Sequence, residues 1–403
     1  MPCPDQQSAR PEEREKITKP KRMELNHYFE PVALDRPENA LPFSEDVFGR
    51  NIRVNTLSHP IDEISNYQIA LIGIPEDRNS YNRGASYAPD RIREKLYPLS
   101  KVSDKIHIID LGNLKATPTA GDTYFGLRDV LLELLNNQVT AILLGGSQDL
   151  TYGAFLAFEQ AKPTVNLVTV DTRINTGKEA VSADTYLQSI WKSPKLFRYC
   201  NLGHQQYLVS DAYANQMDKS GFEAIRLGAL RNNLAQAEPC LRDASLVSFD
   251  ISSVRQSDAP ANPFASPNGL YSEDSCQLAR YAGLSDHVSC FGIFEINPAL
   301  DHQGQTVHLA AQMVWYFMEG FAQRRAETPS SESNDFKVFI VNHEDMEHEL
   351  TFYKSQITNR WWMEVPDIKT GRSFAIACTQ EEYQQASNHD IPDLWWRTFQ
   401  RIN

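Results

Sequence analysis

Ala141-Ile-Leu-Leu-Gly-Gly-Ser-Gln-Asp-Leu-Thr151 opens on a short apolar run, Ala141 to Leu144, that has the length of a buried strand. Gly145 and Gly146 stop it in a tight turn where backbone can approach other groups closely. Polar residues follow, then a helical run from Leu150 to Ala161. The unit is therefore strand, loop, helix, with the loop at the carboxyl end of the strand. Open α/β sheets place their ligand sites at such ends. Two later strands finish the same way: Val165 to Asp171 runs into Thr-Arg-Ile-Asn175, and Leu246 to Asp250 runs into Ile-Ser252. Three strand ends of this kind predict one shared site.

Outward from that unit the chain alternates strands and helices. Strands are expected at Tyr67–Ile74, Ile106–Asp110, Ala224–Leu230, Ser245–Ile251 and Val288–Ile296, with Phe336–Val341 as a last buried strand. Helices are expected at Pro89–Tyr97, Asp122–Leu135, Ser182–Lys192 and Gln305–Arg324. Apolar strands between helices imply a three-layer α/β/α fold around a mostly parallel sheet covered on both faces. Residues 1–22 mix Pro, Gln and both charge signs without periodicity and read as a disordered tail. Residues 23–66 form an N-terminal extension, 67–343 the α/β domain and 344–403 an aromatic-rich C-terminal extension.

Composition narrows the function classes. A net charge of −13 argues against nucleic acid as a general partner, because phosphate binding needs a concentrated basic surface. No apolar run approaches the roughly 20 residues of a membrane span, and the first residues lack a signal-peptide core. A cytoplasmic location is expected. The six cysteines are scattered with no C-x-x-C pair, which predicts reduced structural thiols.

Four motifs together resemble the ureohydrolase family of arginase, agmatinase and formimidoylglutamase. The family carries Gly-Gly-Asp-His-Ser/Thr, Asp-Ala-His-x-Asp, Ser-x-Asp-x-Asp and Glu-x-Asn-Pro at successive strand ends. The counterparts here are Gly145-Gly-Ser-Gln-Asp149, Asp171-Thr-Arg-Ile-Asn175, Ser248-Phe-Asp-Ile-Ser252 and Glu295-Ile-Asn-Pro298. Gly84-Ala-Ser-Tyr-Ala-Pro-Asp-Arg-Ile-Arg93 is similar to an early family segment, and Asp301 and Thr306 extend the last motif as the family does. The resemblance implies an arginase-like fold. It also implies two manganese-like ions, about 3.5–4 Å apart, holding a hydroxide that attacks a guanidinium or formimino carbon.

The chain departs from that pattern where the ions would sit. The six ligand positions carry Gln148, Asp171, Arg173, Asn175, Asp250 and Ser252 in place of two His and four Asp. Asp171, Asp250 and Arg173 sum to −1, so two divalent ions would leave about +3 in a partly buried site. At ~4 Å and an effective dielectric near 20, each unit pair is worth about 4 kcal/mol. No manganese cofactor is therefore expected. Arg173 is expected to take Asp171 or Asp250, and also Glu295, in bidentate pairs as an internal plug. The resemblance gives Glu295 a role in holding a guanidinium-like group, so an amidine pocket is the alternative. Asn297 of the same motif and His204, at another strand end, are the remaining substrate-contact candidates.

The expected role is thus a degenerate ureohydrolase that binds a protein partner or small ligand, possible as a homo-oligomer. The alternative is a hydrolase of a guanidino or formimino compound, such as formimidoylglutamate or agmatine, using one metal or none. Trp361, Trp362, Trp395 and Trp396 are the candidate partner-binding residues, since Trp is enriched at interface hot spots. His343-Glu-Asp-Met-Glu-His348 is not a metal motif: residues five apart lie about 140° apart around a helix.

Overall fold

The structure, a computed structural model, describes residues 24–32, 45–61, 63–342 and 349–403; His343–His348 lie outside them. The main sheet uses β1 (Phe29–Glu30), β2 (Arg53–Val54), β3 (Ile69–Gly73), β4 (Ile108–Leu114), β5 (Thr140–Leu144), β6 (Val165–Val170), β7 (Leu196–His204), β8 (Glu223–Arg226), β9 (Leu246–Asp250) and β10 (Cys290–Phe294). Its order is β1-β4-β3-β5-β10-β9-β6-β7-β8, with β2 beside β4. Every pairing from β4 to β8 along that order is parallel, and only β1 runs antiparallel. Each residue of β3, β5, β9 and β10 is buried, as a sheet covered on both faces requires.

The covering helices are α1 (Ala88–Leu96), α2 (Ala120–Asn136), α3 (Leu150–Ala161), α4 (Tyr186–Trp191), α5 (Asp211–Lys219), α6 (Leu227–Asn232), α7 (Ala237–Asp243), α8 (Ser272–Gly283) and α9 (Gln305–Ala322). Neighbouring strand residues point to opposite faces, so each strand feeds two cores. Leu71 and Ile142 join Ile92 of α1, Leu241 of α7, Leu278 of α8 and Phe317 of α9. Ile72 and Leu143 join Leu131 of α2, Phe155 of α3, Leu187 of α4 and Met217 of α5. The start of α2 is fixed by a capping box in which Thr119 and Asp122 each accept from the other's backbone N–H. The strand expected through Leu230 is shorter: after Arg226 the chain turns directly into α6.

The C-terminal boundary differs from expectation. Phe336–Val341 is a strand, β11, but not of the parallel sheet. It is the edge of a second, antiparallel sheet ordered β11, β12 (Leu350–Ser355), β13 (Trp361–Asp367), β14 (Arg372–Cys378). Lys337, Val338 and Ile340 are exposed on it. A six-residue apolar run fits a buried parallel strand or an antiparallel edge equally, and only the partner strand decides. The C-terminal unit therefore starts near residue 336, and α10 (Gln380–Ser387) and α11 (Asp393–Ile402) complete it.

This unit also corrects three of the four tryptophans. Trp361 and Trp395 lie in its own core with Phe352, Met363 and Leu394, and Trp395 Nε1 donates to Glu364 O at 2.9 Å. Trp362 points the other way, toward the main domain, where the Arg242 guanidinium of α7 lies 4.2 Å from its ring. Arg242 also donates to Trp361 O at 2.9 Å, and Asp243 accepts from Ala377 N at 2.9 Å. These large side chains are buried in packing and docking within the chain rather than offered to a partner. Trp396 alone is 46% exposed.

Candidate functional site

The four motif-bearing strands are neighbours: β5, β10, β9 and β6 lie side by side and parallel. Their carboxyl ends therefore place Gln148, Glu295, Asp250 and Asp171 around one spot. Gly145 and Gly146 have φ of 73° and 77°. A Cβ at Gly146 would lie 2.6 Å from Ile74 O, so the turn needs glycine for both conformation and space.

Glu295 is the most constrained residue of the site. Its φ of 65° is left-handed, unusual for a residue with a side chain. Its N–H donates to Gly146 O at 2.9 Å. Its carbonyl accepts from the Nδ2 atoms of Asn82 and Asn262, each at 2.9 Å. Its carboxylate accepts from Gln148 N at 2.9 Å and Ser80 Oγ at 3.2 Å. Backbone strain held by this many bonds is characteristic of functional positions.

The other two carboxylates are held by short local bonds. Asp171 Oδ1 accepts from Arg173 N at 2.8 Å, and Oδ2 accepts from Asn175 Nδ2 at 2.8 Å. The same Asn175 amide donates to Gln148 Oε1 at 2.9 Å. Asp250 Oδ1 accepts from Ser252 N at 2.7 Å. All six of these side chains, with Glu295, are buried, apart from Arg173, which is partly exposed.

Among the described residues no ion pair reaches Asp171, Asp250 or Glu295. Burial, then the charge of Asp250, pushes the Glu295 carboxyl up to about 8. Burial raises Asp250 to about 6. Burial and the neighbouring Asp250 hold Asp171 well above the usual carboxylate range. Desolvation dominates because the protein supplies no contacting counter-charge.

Arg173 was expected to be that counter-charge, and its geometry is different. Only its backbone N–H bonds Asp171; its guanidinium lies 5.2 Å from the centre of the Phe264 ring. Phe264 is 47% exposed, so the stack sits at the mouth of the site. Stacking on an aromatic face keeps an arginine partly hydrated, whereas pairing with buried carboxylates would strip its water.

The remaining candidates divide. Asn297 spends its amide within the chain: Nδ2 donates to Asn82 Oδ1 at 3.1 Å and Arg83 O at 2.7 Å, and Oδ1 accepts from Ala299 N at 3.1 Å. It fastens the 82–84 loop to the end of β10. His204 ends β7 opposite Arg226 of β8. Burial, then the charge of Arg226, lowers its pKa. No hydrogen bond or ion pair joins it to the three carboxylates. Ser80, Asn82 and Asn262, which position Glu295, carried no sequence signal of their own, although Asn82 stands two residues before the recognised Gly84 segment.

The six family ligand positions do not fit a pair of divalent ions. Two carboxylates, two amides, a guanidinium and a hydroxyl cannot balance a charge of about +4. The Asn175 Nδ2 hydrogens also point at Asp171 Oδ2 and Gln148 Oε1, the oxygens an ion would need. Among the described residues, no three His, Cys, Asp or Glu side chains at these strand ends bring ligand atoms within 4.8 Å of one another.

Residues 67–319 match the family described as the arginase family. The formimidoylglutamase of Bacillus subtilis (strain 168) is 25% identical over 275 residues, covering 62% of this chain and 86% of that protein. The solved structure of the Bacillus subtilis formimidoylglutamase matches with a TM-score of 0.64 at 20% identity, covering 72% of this chain and 97% of that one. That of Trypanosoma cruzi formiminoglutamase with Mn2+2 matches with a TM-score of 0.62 at 20% identity, over 66% and 97%. With more than half its length inside the family match and the four strand ends in family order, the chain belongs to the arginase family.

Proposed function

We propose that the strand-end pocket takes a guanidino or formimino compound on Glu295, Asp250 and Asp171, and that it works without a dinuclear manganese centre. The observation that carries this reading is the cluster itself: three buried carboxylates with no contacting cation among the described residues. A flat amidinium offers paired N–H donors and a positive charge to such oxygens. The similarity to formimidoylglutamases supports the same ligand class. Binding rather than hydrolysis is favoured because the six positions carry only two carboxylates and no imidazole with which to hold two ions and the water between them. The protein-partner form of a scaffold role loses its support with the burial of Trp361, Trp362 and Trp395.

A second reading is hydrolysis of the C–N bond. The relatives support it directly, and so does Glu295. A carboxyl raised to about 8 has the proton affinity of a working acid or base near neutral pH. Incubation with formimidoylglutamate, agmatine and arginine, in chelator and with Mn²⁺, separates the two. Ligand recovered bound and intact is the expected result. Formamide, urea or ammonia released in chelator selects the second reading. Turnover strictly dependent on two Mn²⁺ ions per chain contradicts the metal-free proposal.

A further inference from the structure

A second cluster of metal-ligating side chains lies away from the strand-end site, between β7, β8 and α7. Cys200, Glu223 and Cys240 each bring a ligand atom within 4.8 Å of the other two. Cys200 and Cys240 are buried, with both thiols free, and Cys240 Sγ lies 3.9 Å from Glu223 Oε2. We propose that Cys200, Cys240 and Glu223 form a site for a thiophilic divalent cation, zinc by ligand chemistry. Two sulfurs and a carboxylate are a zinc-type donor set, and three protein ligands leave a fourth position for water.

The surroundings suit the assignment. Arg198 Nε and Nη2 hold the two Glu223 oxygens at 2.6 and 3.0 Å. Each carboxylate oxygen keeps a second lone pair, so the arginine orients the ligand without consuming it. Two thiolates and a carboxylate on a divalent ion carry −1, which Arg198 offsets in part, since its Nη1 also donates to Asp243 Oδ2 at 3.2 Å. A cavity of about 250 Å³, lined by Glu223, Cys240, Arg198 and Glu382 among others, gives water and the ion a way in. Cysteine spacing conceals the pair, because Cys200 and Cys240 meet only through the packing of α7 on β7.

The test uses the full chain, reduced and stripped of metal, titrated with Cd²⁺ as the thiolate probe and with Zn²⁺ against a chromophoric chelator. Expected is about one ion per chain, with ultraviolet thiolate-to-cadmium absorption. Binding weakens more than 100-fold in Cys200→Ser or Cys240→Ser and about 10–100-fold in Arg198→Gln. Glu295→Gln leaves it unchanged, which separates this site from the strand-end pocket. The absorption is read on the unaltered chain, so a variant that fails to fold does not decide the matter. Absence of that absorption in the reduced folded protein overturns the assignment, as does zinc binding that persists in both cysteine variants.

Discussion

Two buried carboxylate sites in the same sheet are treated in opposite ways. Asp110 on β4 is fully compensated. Arg93, itself wholly buried, grips it with Nε and Nη2 at 2.8 and 2.9 Å. Tyr97 Oη at 2.8 Å and Gly112 N at 2.9 Å complete its shell. Asp171, Asp250 and Glu295, a few strands away, accept neutral hydrogen bonds and receive no contacting cation from the described residues. A fold that can build an internal guanidinium clamp at one place leaves it out at another. Asp110 is a structural joint, whereas the strand-end cluster feels the Arg173 charge at Asp171 and Asp250 only without contact. The internal plug expected of Arg173 is the arrangement found at Arg93 instead.

The largest effect that separates the two sites is on stability. Arg93→Ala strands Asp110 as an unpaired buried charge and is expected to cost about 3–5 kcal/mol in denaturant unfolding. A cost under ~1 kcal/mol would break the contrast, since Asp110 would then tolerate isolation as the strand-end carboxylates do.

Neutralising the strand-end cluster is expected to do the reverse. With its pKa raised to about 8 from the ordinary 4.5, Glu295 binds more protons in the native than in the unfolded state between those limits. Stability therefore falls as pH rises through that window. Below 4.5 the residue contributes no slope, and above 8 the destabilisation is complete. Asp250 adds a similar fall between 3.8 and about 6. Glu295→Gln should remove the upper slope and stabilise the protein by roughly 1–3 kcal/mol at pH 8, with little change at pH 4.5. Unfolding curves at both values check this; equal curves for variant and parent at pH 8 would refute the uncompensated cluster.

The smallest effect belongs to Arg173. Stacked on a half-exposed Phe264 and contacting no carboxylate, its guanidinium should be worth less than about 1 kcal/mol. Arg173→Ala unfolding at pH 7 tests that. A loss of 3 kcal/mol or more would restore it as the counter-charge.

Much of this was visible in the sequence, for reasons that differ residue by residue. Ala141–Leu144 and Leu150–Ala161 show their states because length and a glycine pair separate strand from helix. The convergence of Asp171, Asp250 and Glu295 follows once each is seen to close a parallel strand. What stayed hidden depends on partners far along the chain. Phe336–Val341 has five apolar residues in six whichever sheet receives it. Trp361 and Trp362 point to opposite faces of β13, and composition does not say that Tyr383 of α10 covers one and Arg242 the other. Arg173 sits two residues after Asp171 in its motif, yet its rotamer follows Phe264, some 90 positions later. Asn82 and Asn262 hold Glu295 from loops without motif character.

The measurement that reaches the central claim most directly is calorimetric titration of the chain with formimidoylglutamate and agmatine in chelator. It is run on the parent protein and on Glu295→Gln, which keeps the side chain's shape and removes its charge. Expected is saturable binding of about one ligand per chain without metal, weakened at least 30-fold by the substitution, or about 2 kcal/mol. Binding that appears only after Mn²⁺ is added, or that is equal in the two proteins, would contradict it.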